Sequence, residues 1–193
     1  MTKPLILLLC VATSLCVFAL GRADAPETGN GPHYTVDGRM QFPTQYREWV
    51  FLSSGLGMTY GPMAAESHGE NPPFDNVFAD RAAYKAFMAS GYWPDKTMLV
   101  LEVRSSQSKG SINRGGHFQS EPLAVEVHVK DEKRFPGKWA FFGFSKPSGS
   151  ASQIPVTADC YSCHAQHGAV DTTFVQFYPT LLNLAKEKGS FRP

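Results

Sequence analysis

Apolar and polar positions alternate most cleanly from Leu123 to Lys130. Leu123, Val125, Val127 and Val129 point one way and Ala124, Glu126, His128 and Lys130 the other, the two-residue period of a strand with one buried face. Thr97 to Arg104 repeats the pattern, with Leu99, Leu101 and Val103 on one side and Met98, Val100, Glu102 and Arg104 on the other. Trp139 to Phe144 is apolar on both sides, which predicts a central strand. Tyr46 to Leu52 reads as a helical turn running into a strand, and Asn76 to Ala79 as a short strand. Asp80 then caps a helix over Arg81 to Ser90 that Gly91 stops, with Ala82, Tyr84, Phe87 and Met88 as its candidate buried side. A last helix is predicted over Phe174 to Lys188, interrupted near Pro179 and ending at Gly189.

Between these lie polar stretches. Asp24 to Gln41 predicts a loose lead-in, Ser53 to Pro73 a long loop without clean period, Ser105 to Gly116 a turn region, and Asp131 to Arg134 a solvated charged turn. Ser145 to Ala158 is a flexible approach to the segment that begins at Cys160. No internal repeat is present. The fold class expected is α+β, mainly antiparallel β-sheet with flanking short helices, in a single domain.

The amino terminus changes the arithmetic. Met1-Thr2-Lys3-Pro4 carries one positive charge, Leu5 to Leu20 is an almost unbroken apolar run, and small residues follow at Gly21, Ala23 and Ala25. That is the form of a secretory signal peptide, taken as residues 1–23 with cleavage between Gly21 and Ala25, and it predicts a periplasmic protein. Of the four cysteines, Cys10 and Cys16 leave with the leader, so the mature chain keeps Cys160 and Cys163. About 170 residues then remain, enough for one domain with a real core. The formal charge is +1 with no basic block, which argues against nucleic acid as a partner.

The two remaining cysteines stand in Cys160-Tyr161-Ser162-Cys163-His164, the C-x-x-C-H attachment signal for a c-type haem. Two thiols that add across the haem vinyl groups must share one turn, and the next histidine is carried under the porphyrin to ligate iron. A thioredoxin-like pair would want a preceding βαβ strand, and the residues before Cys160 are a Pro- and Ser-rich loop. A zinc site from Cys160, Cys163, His164 and His167 would crowd its ligands into one short segment. A disulfide would leave the histidine unexplained. The expected cofactor is covalently attached heme c, with His164 as the iron ligand. A sheet-rich order of elements also excludes the four-helix bundle of cytochromes c′ and the helical fold of small cytochromes c.

Further blocks carry a resemblance: Tyr46-Arg47-Glu48-Trp49-Val50, Val125 to Phe135, Gly137-Lys138-Trp139-Ala140-Phe141, the haem motif, and Phe174-Val175-Gln176-Phe177-Tyr178-Pro179. In this order they resemble the cytochrome P-460 family, which includes the cytochromes c′-β. The resemblance implies a haem domain over residues 46–188 between a flexible lead-in at 24–45 and a tail at 189–193, usually as a homodimer. It implies five-coordinate iron with the proximal histidine at His164. Family enzymes oxidise hydroxylamine, with a strand lysine cross-linked to the porphyrin and a distal glutamate that moves protons. The glutamate falls at Glu126. The lysine falls at Leu101, which cannot make that bond, and Lys96 and Lys109 are out of register. The family's arginine falls at Asp75. Without the cross-link the chain is more similar to a cytochrome c′-β, whose pocket is lined by phenylalanine, and Phe74, Phe78 and Phe118 stand near the matching blocks.

Three functions are therefore weighed. The first is a mono-haem cytochrome with an open distal side that binds nitric oxide or a similar small ligand. The second is a hydroxylamine or nitric oxide oxidoreductase with Glu126 as catalytic proton relay. The third is electron transfer to a redox partner protein, with Met58, Met63 or His68 as sixth ligand.

Overall fold

A computed structural model of the chain describes residues 31–60 and 69–193. The expected signal peptide lies outside the described residues, as do Met63 and His68. The architecture is α+β, a single domain built on a five-stranded antiparallel sheet. Its strands are β2 (Val50–Leu56), β3 (Phe74–Ala79), β4 (Met98–Gln107), β5 (Phe118–Lys130) and β6 (Trp139–Phe144), in spatial order β2-β3-β4-β5-β6. Before them β1 (Met40–Gln41) pairs with β7 (Ser150–Ala151) as a small second sheet. Helix α1 (Arg81–Ser90) joins β3 to β4, and α2 (Asp159–His167) and α3 (Pro179–Glu187) close the chain.

Cross-strand register sorts the side chains onto two faces. One transverse row is Ala79, Leu99, His128 and Phe141, and the next is Val77, Leu101, Glu126 and Gly143. This face is covered by the helices: Ala83 and Phe87 of α1 and Leu181 and Ala185 of α3 pack with Leu52, Leu99, Trp139 and Val170. The opposite face carries Val100, Val127 and Phe142, covered by Met40, Phe42, Tyr46 and Trp49. Its polar centre is Glu102, buried and accepting from the Tyr46 hydroxyl at 2.8 Å, Arg104 at 2.9 Å, Asn76 at 3.4 Å and Arg47. Such a carboxylate is tolerated inside because four donors replace its water.

Several expectations are corrected. The lead-in is ordered where it is described: Met40 is fully buried and Phe42 nearly so, because pairing with β7 presses this segment onto the sheet. The tail is docked too, since Ser190 is buried and Arg192 donates its backbone N–H to the Ala169 carbonyl at 2.7 Å. β6 is an edge strand. It is apolar on both sides because each sheet face is covered. Its open edge is occupied by the segment after β7, where the Ile154 N–H reaches the Phe141 carbonyl at 2.8 Å. β2 runs on to Leu56 and shortens the expected loop, while β4 and β5 extend as a hairpin to Gln107 and Phe118. Leu123 is exposed rather than in line with the valines, because the register breaks where Arg104 faces Pro122. In α1 the buried residues are Ala83 and Phe87, whereas Ala82 and Met88 are exposed. Asp80 decides this: its carboxylate accepts from the Ala83 and Met98 amides at 2.8 and 2.9 Å, which turns Ala83 inward.

Candidate functional site

α2 opens on Asp159, an acidic residue in the first turn that suits the positive end of the helix. One turn brings Cys160 and Cys163 to the same side of it, both half-buried and not bonded to each other. Tyr161 faces the sheet edge. Its hydroxyl donates to the Ile154 carbonyl at 3.0 Å and accepts from the Phe141 amide at 3.3 Å, pinning α2 to β6.

His164 lies against Phe174, Phe141 and His128, with ring centroids 4.3, 4.6 and 5.0 Å away. Its Nδ1 is 2.7 Å from the Thr172 carbonyl. A carbonyl only accepts, so Nδ1 carries the proton and Nε2 keeps its lone pair. Burial holds the imidazole below its ordinary pKa, and the hydrogen bond to Thr172 pulls the other way. Behind it His128 stacks on Phe141 at 4.1 Å, and burial, then His164, holds its pKa well below normal. Both rings are thus kept neutral, the form that binds a metal. Gly168 allows this approach: a Cβ there would stand 2.6 Å from the His164 carbonyl oxygen and 2.9 Å from the Thr172 Cα.

Glu126 projects from the same sheet face, directly across from Leu101. Its side chain is reached by solvent, yet enough protein surrounds the carboxyl to raise its pKa through desolvation. Tyr60 feels the same charges, its hydroxyl pushed up to about 12 by burial and then by Asp75, Glu126 and Cys163. Burial first, and Glu126 and Asp159 among the lesser causes, raises the Cys160 thiol. Glu126, Tyr60 and Asp75 are thus within electrostatic reach of one another near the thiols of α2.

The phenylalanines expected at the site are elsewhere. Phe74 shares its sheet face with Asn76, Glu102 and Arg104, opposite Glu126. Phe78 is on that face too, against Tyr46 and Phe51. Phe118 sits far along the hairpin, paired with Gln107, close to Gly110 and 40% exposed. The rings that touch His164 are Phe141 and Phe174, hidden in blocks that read simply as apolar. Among the alternative lysines, Lys96 pairs with Asp131 and Lys109 is exposed near the hairpin tip. The lysine on the helical face is Lys130, two residues on from His128, and its ammonium is held by the Trp93 carbonyl at 2.8 Å and Asp171 at 3.2 Å. Its place in the alternation was the signal for it. Met58 folds back over Gly55, which pairs with Asp75.

Two unbonded thiols on one turn and a neutral histidine with a free Nε2 fit a haem attached through C-x-x-C-H. No curated protein matches the chain. The family model described as Cytochrome P460 matches residues 43–175, from just before β2 through the loop that supports His164. The chain belongs to the cytochrome P460 family, whose members are haem cytochromes.

Proposed function

We propose that the chain is an exported, periplasmic, mono-haem c-type cytochrome whose open distal side binds nitric oxide or a similarly small ligand. The observation that carries this is Leu101, directly across β4 and β5 from Glu126, at the position where the resemblance implies the family's cross-linking lysine. Bound haem would supply an iron centre with one face left for a small ligand. Cys160 and Cys163 would hold it through thioethers, each S–H adding across a vinyl double bond. His164 would give its Nε2 lone pair, with Nδ1–H anchored on Thr172. Phe141 and Phe174 keep water from the imidazole. A redox partner protein is expected to supply or remove the electron, and the family's usual homodimer is the expected assembly.

Optical spectra of the purified holoprotein, ferric and reduced, with and without nitric oxide, test this. A high-spin five-coordinate ferrous haem with an ordinary Soret position that takes up nitric oxide is expected. A Soret band far to the red would show an additional porphyrin link and favour the enzyme reading. A methionine-to-iron charge-transfer band in low-spin ferric protein would favour electron transfer.

The raised carboxyl of Glu126 supports a second reading, hydroxylamine or nitric oxide turnover with Glu126 as proton relay. A carboxyl that keeps its proton above the ordinary carboxylate range can both give and take one. Glu126→Gln should then abolish turnover and leave the haem spectra intact; unchanged activity removes the relay.

A further inference from the structure

The loop after α2 presents one carbonyl to His164, and unusual machinery holds that carbonyl still. Asp171 has φ 51°, a left-handed conformation that aspartate tolerates but that needs support. The Arg192 guanidinium donates to the Asp171 carbonyl, and Lys130 grips the Asp171 carboxylate at 3.2 Å. On either side of the turn, Thr172 Oγ1 lies 3.2 Å from His128 Nε2, and Thr173 Oγ1 accepts from Trp93 Nε1 at 2.9 Å. Lys130 itself is buried, with the Trp93 carbonyl, Asp171, Glu132 at 3.6 Å and the Trp139 ring as its surroundings. A buried ammonium destabilises a fold unless it is paired, so its place here calls for a reason.

We propose that Lys130 and Asp171 are positioning residues for His164. They fix the turn so that the Thr172 carbonyl stays on Nδ1, and thereby set how strongly the imidazole donates to iron. The proposal rests on the haem reading above. Three alternate residues of β5 then share the face of the site, with Glu126 across from Leu101, His128 behind the proximal imidazole and Lys130 on the turn. A hydrogen bond from Nδ1–H to a fixed acceptor raises the basicity of Nε2. Loosening it weakens donation, and the ferric state loses more support than the ferrous.

The test uses holoprotein carrying Lys130→Met, Asp171→Gly or Asp171→Asn. Glycine accepts the left-handed backbone but removes the carboxylate, which separates backbone strain from the ion pair. Asparagine keeps an acceptor for Lys130 and tolerates the same φ. In Lys130→Met and Asp171→Gly the iron–histidine stretch of the ferrous protein should move to lower wavenumber and the reduction potential should rise. Asp171→Asn should stay near the parent. Unmoved stretch and potential in folded variants, even with lowered melting temperature, would reduce the pair to a structural role. Should Lys130→Met fail to fold, Asp171→Gly decides alone. A parent without covalent haem overturns the haem reading and this proposal with it; a haem-bearing parent with unmoved variants overturns only the positioning role.

Discussion

Gly168 shows how a single missing carbon organises the site. Its φ is ordinary at −68°, so what it supplies is space, letting residue 172 close on the end of α2. Gly168→Ala should destabilise the protein by about 1–3 kcal/mol through overpacking, measured by thermal melts. Trp93→Phe keeps the aromatic packing on Phe87 but leaves Thr173 without its donor, so a loss of about 1–2 kcal/mol is expected. Glu126 gives a dependence on pH. A carboxyl raised on folding is penalised only when charged. The penalty is absent below the unfolded pKa, grows as pH rises through the ordinary carboxylate range, and is full above the folded value. Glu126→Gln should therefore match the parent in melts at strongly acidic pH and be the more stable at neutral pH; the reverse order would place Glu126 beside a cation. Cys160, Cys163 and His164 were legible because their signal is local, whereas Glu126 was named only through the family resemblance. Thr172 and Phe141 were silent, since they reach His164 only after the chain has folded back.

Among the elements, those with a strong local period were legible. α1 lies within the predicted bounds, because Asp80 and Gly91 mark its ends chemically, and β5 turns alternate side chains to opposite faces from Val125 onward, although His128 and Lys130 are buried as well as the valines. Which flank of a helix turns inward was not legible, as it depends on Asp80 reaching across to Met98. Nor was the edge position of β6, because burial on both faces looks the same at an edge that another segment covers. The face taken by the phenylalanines was hidden for a related reason. Phe74 and Phe78 share a face of β3, but only the sheet register shows that Glu126 takes the other. α3 begins with Pro179 at its first turn, where the missing N–H has no partner to lose, and buries Leu181 completely. Leu181→Ala should lower stability by about 2–5 kcal/mol, read from denaturant unfolding, by opening a cavity between α3 and the sheet.

At the scale of the whole molecule, the sheet separates two environments. One face holds an aromatic core closed by the N-terminal segment and centred on the Glu102 cluster. The other carries the helices and every group assigned to the site. Perturbing one face should leave the other largely intact: Glu102→Gln should lower the melting temperature while the haem spectrum stays that of the parent. Two distant changes on opposite faces should also add in their effects on stability.

The order of elements along the chain has a consequence for how the cofactor is installed. All five strands of the large sheet precede α2, as do Phe141 and Ile154, the partners that hold Tyr161 at the β6 edge. If the chain is exported as proposed above, delivery from its amino terminus would let it complete the sheet while the segment with both thiols still hangs outside it. Attachment chemistry would meet an extended, accessible C-x-x-C-H, and docking of α2 would then shut the door behind the porphyrin. Pulsed hydrogen exchange on the haem-free chain should find β3 to β6 protected before α2; simultaneous protection would mean that the thiols are offered from an already closed fold.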